Sequence, residues 1–226
     1  MSASSRHKVA VFALLAVATV VCIGLLGLRF IRTDTRHYWF LAWNLTLAWI
    51  PLGLAALAGA FAVTRKRVAY VIIVPTALLW LLFFPNAAYI LTDFLHLDEF
   101  KDSVPQWYDL MLLLWFSWTG LLLGIVSLRL MHELVTRAVG VVAGWTFVVV
   151  ATGLGSFGIY LGRFLGWNSW DVLHAPLSMA DQVWERVSQP LANTRLVGFT
   201  GSFALFFLFV YLAMYLFGRL GWDEPR

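Results

Sequence analysis

The stretch Trp80-Leu81-Leu82-Phe83-Phe84-Pro85-Asn86-Ala87-Ala88-Tyr89-Ile90-Leu91-Thr92-Asp93-Phe94-Leu95-His96 decides how the rest of the chain is read. An apolar run meets a proline and then carries polar groups at helical intervals. Asn86, Tyr89, Asp93 and His96 are spaced i, i+3, i+7, i+10, so a continuing helix would place all four on one face. Pro85 removes a backbone donor and crowds the preceding turn, which predicts a kink or a fresh helix start there. A carboxylate at the end of a membrane span is costly, so Asp93 calls for a partner or a role.

The composition around this stretch makes the bilayer the solvent. Of 226 residues, 61% are hydrophobic and 12% charged, with a mean hydropathy of +0.80; soluble domains carry about 25% charged residues. Twelve Trp, seven Tyr and eighteen Phe suit a chain with two membrane–water interfaces. The net charge of +4 is spread over short connections, which argues for orientation signals and against a nucleic-acid partner. Cys22 is the single cysteine and lies mid-span, which excludes an intrachain disulfide and a cysteine metal site.

Six apolar runs, at residues 9–28, 38–63, 68–91, 109–130, 139–161 and 196–217, predict an all-α polytopic helix bundle in one domain, residues 1–226. The first resembles a signal peptide, with Ala16-Val17-Ala18 as a possible cleavage site. It runs ten residues further, as an uncut span would. Arg29, Arg32, Asp34, Arg36 and His37 read as the first connection, and Arg129, His132, Glu133 and Arg137 as another. The third-to-fourth and fifth-to-sixth connections are each expected to hold a short interfacial helix. In the latter, Leu177, Val183, Val187 and Leu191 form an apolar stripe beside Trp184, and Ser178-x-x-Asp181 offers a start signal. The fifth span carries Gly140 and Gly144, then Gly158 and Gly162, as GxxxG pairs, with Gly155 on a second face. Those faces predict a central helix.

With the N-terminus inside, the cytoplasmic segments hold Arg6, Lys8, Arg65, Lys66, Arg67, Arg129, Arg137, Arg219 and Arg226. The other side holds Arg29, Arg32, Arg36, Lys101, Arg163, Arg186 and Arg195. The excess of basic residues favours both termini in the cytoplasm.

On that orientation the third and fifth spans exit together on the non-cytoplasmic face, as Asp93-Phe94-Leu95 and Arg163-Phe164-Leu165. Asp93 and Arg163 are therefore expected to pair. Asn86, Tyr89, Thr92, Asp93 and His96 with Arg163, Asn168 and Asp171 form the candidate polar cluster. Trp107, Tyr108, Trp167 and Trp170 are candidate interfacial aromatics, able to stack a sugar or hold a lipid headgroup but explained by an aromatic belt alone. Asp93 and His96 have the chemistry for acid–base work. Asp93-x-x-His96-x-x-Glu99, with Asp171 and His174 in a loop, has the ligand types of a metal site, but its spacing is also that of an exposed interfacial face. Neither a metal nor a cofactor is expected. The sequence contains no phosphate-cradling glycine loop, nucleophile elbow, HExxH or dinucleotide fingerprint.

Several motifs taken together resemble one known family. They are the opening stretch, Asn44-Leu-x-Leu-Ala-Trp49-Ile-Pro51, Trp107-Tyr108-Asp109-Leu110, and Gly158-Ile-Tyr-Leu-Gly-Arg163-Phe-x-x-Trp-Asn168-Ser-Trp-Asp171. The chain is similar, over about residues 38–218, to the uncharacterised bacterial multi-pass membrane family catalogued as domain of unknown function 1361. Ala88 stands where that family's pattern has a second proline. The resemblance implies architecture and a bacterial cytoplasmic membrane, and it implies no chemistry.

With no catalytic constellation complete, the residues favour a non-enzymatic membrane protein, a small transporter or a complex subunit. Its expected partners are membrane lipid and a membrane protein or a second copy. The alternative is an enzyme acting on a lipid-linked substrate at the outer leaflet. Topology is directly testable. Reporter fusions after Arg67 and after Arg226 should read cytoplasmic and one after Asp102 external; a cytoplasmic reading at Asp102 inverts the orientation.

Overall fold

A computed structural model of the chain describes residues 3–62, 67–97, 104–174, 176–189 and 192–218. Its elements are α1 (Ala3–Thr33), α2 (Trp39–Ala62), α3 (Arg67–Tyr89), a 3-10 helix (Ile90–His96), α4 (Gln106–Val139), α5 (Val141–Leu165), α6 (Asp171–His174), α7 (Pro176–Val187) and α8 (Thr194–Phe217). Six helical segments are long and apolar enough to cross a membrane, as the apolar runs predict. Helices suit lipid because every interior backbone group is satisfied within its own segment. Arg65, Lys66, Asp98, Glu99, Lys101, Asp102, Leu191, Arg219 and Arg226, used above for orientation, the metal pattern or the apolar stripe, lie outside the described residues.

The helices overrun the apolar runs at several ends. α1 continues through Arg29 and Arg32 to Thr33, so these two residues belong to the helix and not to the first connection. α4 likewise runs through Arg129, His132, Glu133 and Arg137 to Val139. The expected connection there shrinks to Gly140, whose φ of +100° suits a residue without a side chain. Gly140 therefore precedes α5, and the first GxxxG pair is not a helix face. α4 is also the most enclosed span, at 61% against 39% for α5, which corrects the expectation that the fifth helix is central.

The opening stretch departs from an ideal helix later than Pro85. α3 passes through Pro75 and Pro85 without starting afresh. Thr76 Oγ1 donates to the Ile72 carbonyl at 2.7 Å, and Asn86 Nδ2 to that of Phe83 at 3.0 Å. Side chains thus bond backbone oxygens near each proline. The helix tightens only at Ile90, where 3-10 winding begins and residues three apart eclipse one another.

The chain divides into two compact units, Met1–Leu130 and Met131–Arg226, with the boundary inside α4. In the first, α2 lies along α3. A core of Leu15, Cys22, Leu26, Leu41, Leu45, Leu112 and Phe116 joins α1, α2 and α4. In the second, α5 packs on α8. Val183 of α7 packs on a cluster of Tyr160, Leu161 and Leu196, while Leu177, Trp184 and Val187 stay exposed. α7 starts at Pro176, two residues ahead of the expected Ser178 signal; proline's fixed φ suits a first helical turn.

Gly120 and Gly144 mark close approaches. A methyl group on Gly120 of α4 would sit 2.6 Å from the Ala87 carbonyl oxygen and 2.8 Å from Ile90 Cδ1. On Gly144 of α5 it would meet Thr136 Oγ1 and lie 2.9 Å from the His132 ring. Gly24 and Gly53 have open space at the same position. Gly120→Ala should therefore destabilise the fold by about 1–3 kcal/mol through overpacking. Gly24→Ala and Gly53→Ala should be neutral or stabilising by up to about 1 kcal/mol. Melting temperatures in detergent test the contrast; equal values for Gly120→Ala and Gly53→Ala would refute it.

Candidate functional site

Two buried charged side chains of the first unit, Arg29 and Asp109, meet where α1 finishes and α4 begins. Arg29, on the last turns of α1, donates from Nε to Asp109 Oδ1 at 2.7 Å and from Nη2 to Oδ2 at 3.1 Å. Both residues are buried, Arg29 completely and Asp109 to 4% exposure. This two-pronged geometry is the strongest ion pair available to a guanidinium and a carboxylate. The Tyr38 ring covers the guanidinium at 4.6 Å from Cζ, a cation–π contact.

Tyr38 reaches that position through an unusual backbone. Its φ is +65°, and Asp34 at the other end of the short turn has φ +52°. A bulky residue held there costs about 1–3 kcal/mol. The ring on Arg29 and a hydroxyl bond to the His96 carbonyl, 2.9 Å, hold it in place. Tyr108 adds another tie, its hydroxyl donating to the Leu25 carbonyl at 2.7 Å.

The second carboxylate sits on the 3-10 helix. Asp93 is 1% exposed and accepts a hydrogen bond from Asn44 Nδ2 of α2 at 2.9 Å. His96, one 3-10 turn on, sets its ring edge-on against Phe40 at 5.2 Å. The tightened winding brings Ile90, Asp93 and His96 into line, so the α-helical alignment of Asn86, Tyr89, Asp93 and His96 does not hold. Thr92 Oγ1 turns back to the Tyr89 carbonyl, as Asn86 does to Phe83. Of the expected cluster in this unit, Asp93 and His96 face α2.

The remaining candidates belong to the second unit. Arg163 is half-buried on the last turn of α5. Asn168 donates from its backbone N–H at 2.7 Å and from Nδ2 at 3.3 Å to the same Asp171 oxygen, closing an exposed turn before α6. His174 Nδ1 lies 3.0 Å from the Trp170 carbonyl. Trp167 donates from Nε1 to Gln182 of α7 at 3.4 Å. In the first unit Trp107 is exposed, with its ring edge-on to Tyr108. Among the described residues no three His, Cys, Asp or Glu side chains converge as a metal would require.

Sequence reasoning named Arg29 and Asp109 without joining them. By sequence alone Arg29 counts as an orientation signal and Asp109 as the lead into a span. The signal was opposite charge at span ends on one side, the argument applied to Asp93 and Arg163. His132 was also misread as a connection residue. It is 4% exposed on α4, with Nδ1 2.6 Å from the Tyr211 hydroxyl and its ring edge-on to Trp145 at 4.8 Å.

Breaking a buried pair leaves one charge uncompensated, at about 3–5 kcal/mol, whereas replacing both partners with apolar side chains is far milder. Arg29→Met and Asp109→Leu should each lower stability by that amount in denaturing-detergent titrations. The double variant should lose much less than the sum. Additive losses would show that the two side chains are not coupled.

No curated protein and no solved structure matches the chain. A family model described as a protein of unknown function, DUF1361, matches residues 43–214, which takes in Asn44, Asp93 and Asp109 and begins after Arg29 and Tyr38. The chain, with its six apolar helices, belongs to the DUF1361 family.

Proposed function

We propose that this chain is a non-enzymatic subunit of a membrane complex in a bacterial cytoplasmic membrane, with its polar layer at the non-cytoplasmic face. The observation that supports this reading is the closure of the charged groups. Arg29, Asp93 and Asp109 are 0%, 1% and 4% exposed. Each has a hydrogen-bond partner inside its own unit. A general acid or base must come within hydrogen-bond reach of its substrate. Carboxylates covered by protein on every side are suited to fixing helices in register. Of the candidate polar cluster, Asn168 is exposed and Asp171 half-buried in the turn after α5, positions suited to a protein partner or a second copy.

A transport reading is favoured by one observation. Asp93 is carried by a 3-10 helix, whose hydrogen-bond geometry is poorer than that of an α-helix. A buried carboxylate on a segment that can rewind is the type of group a coupled carrier protonates or loads. An enzyme acting on a lipid-linked substrate would need these groups to open beside Trp107, which is already exposed.

Extraction into polymer-bounded native membrane discs separates the readings. The subunit proposal expects particles heavier than one 25.5 kDa chain with its lipid by at least one further polypeptide in fixed ratio. Single-chain particles would overturn it. Asp93-dependent solute or proton flux in proteoliposomes of those particles would establish transport instead.

A further inference from the structure

We propose that a groove between α1 and α2 holds one acyl chain of an anionic glycerophospholipid, with the lipid phosphate at Lys8. The groove has a volume of about 620 Å³ and is lined by Lys8, Val9, Phe12, Ala13, Ala16 and Trp49. That volume falls within the range of about 300–1,000 Å³ usual for small-molecule sites. Apart from Lys8, the lining side chains are apolar but for the Trp49 ring nitrogen, and that nitrogen is used elsewhere. Trp49 Nε1 donates to Thr19 Oγ1 at 3.1 Å, so its N–H is spent on α1.

Depth along α1 fits a lipid tail. At a rise of about 1.5 Å per residue, Lys8 and Arg29 lie about 32 Å apart, close to the roughly 30 Å of a hydrocarbon core. If Arg29 and its layer mark one interface, Lys8 stands at the other. Ala16 lies about 12 Å further in than Lys8, and Thr19, which holds Trp49, about 16 Å. The groove thus begins at headgroup level and ends near mid-bilayer, the depth of one leaflet's acyl chain. Ala13 and Ala16 leave the room, and Phe12 packs against the core.

Charge selects the headgroup. Lys8 lines the groove, and Arg6 and His7, just ahead of it on α1, are exposed as well. Basic residues at a membrane surface attract anionic lipid by about 1 kcal/mol each. A zwitterionic lipid could offer the same tail but no net charge to this cluster.

The test uses the full chain, delipidated in detergent and supplied with phosphatidylglycerol or with phosphatidylcholine of identical acyl chains, read by native mass spectrometry. Wild type should retain one phosphatidylglycerol per chain in preference to phosphatidylcholine. Lys8→Glu should weaken phosphatidylglycerol retention about tenfold and leave phosphatidylcholine unchanged. Ala13→Trp and Ala16→Phe, at exposed positions of α1, fill the groove at two depths, and each should abolish retention of the bound lipid while keeping the wild-type melting temperature. Equal retention of both lipids by wild type overturns the headgroup assignment. Wild-type retention by a folded Ala13→Trp or Ala16→Phe protein overturns the groove and leaves only surface attraction by the basic cluster.

Discussion

The Arg29–Asp109 pair is the interaction to which the first unit is fitted. Burying a charged side chain away from water costs several kcal/mol unless it is paired. The two charges must therefore meet, and meeting fixes the end of α1 against the start of α4. The chain then has only residues 34–38 in which to turn back into α2. Two non-glycine residues of that turn, Asp34 and Tyr38, take left-handed conformations. The strain at Tyr38 is offset by what the ring and hydroxyl reach, the guanidinium on one side and the His96 carbonyl on the other. Six residues later Asn44 meets Asp93, so α2 is set in register from two points.

The 3-10 segment follows from the same crowding. Gly120 brings the backbone of α4 against Ala87 and Ile90, where no side chain would fit. Ser117, three residues earlier, donates to the Ile90 carbonyl at 3.0 Å. The helix that continues from α3 changes its winding at this contact, and the change turns Asp93 toward Asn44. A regular α-helix through residue 96 would have aimed Asp93 and His96 differently, since positions three apart eclipse only in the tighter winding.

The spans were legible because hydropathy over some twenty residues is a bulk property that neighbours cannot cancel. Helix ends were less so. Arg29, Arg32 and His132 are polar, and polarity alone marks a connection. Yet Arg29 and His132 are buried by partners far along the chain, Asp109 and Tyr211. The importance of Asp93 was readable from its place at a span end. Its hydrogen bond from Asn44 was not, because Asn44 lies inside an apolar span and nothing local distinguishes it from a helix-packing amide. Of the fifth span's expected packing glycines, Gly144 does meet a neighbouring segment closely, while Gly140 misled for a related reason. Spacing shows where backbones can approach, while Gly140 uses its freedom to turn and not to pack.

These contacts share one feature that explains why α4 is the most enclosed span. Lipid tails are as apolar as leucine, so burial of apolar surface does not by itself select which helices associate. Polar contacts and close backbone packing must do so, and here they converge on α4. Arg29 and Cys22 tie α1 to it through Asp109 and Thr119. Trp80 ties α3 through Ser127, and Ile90 ties the 3-10 helix through Ser117. In the second unit Tyr211 of α8 meets His132. α2 is the exception that completes the pattern: its Asn44 and Trp49 bond Asp93 and Thr19, and Tyr38, just ahead of it, reaches Arg29 and His96, all of them residues of α1 and the 3-10 helix. It is therefore held by the elements that α4 holds. In a fold organised this way, one carboxylate on α4 reaches both α1 and the turn into α2, because Asp109 positions Arg29 and Arg29 carries the ring of Tyr38.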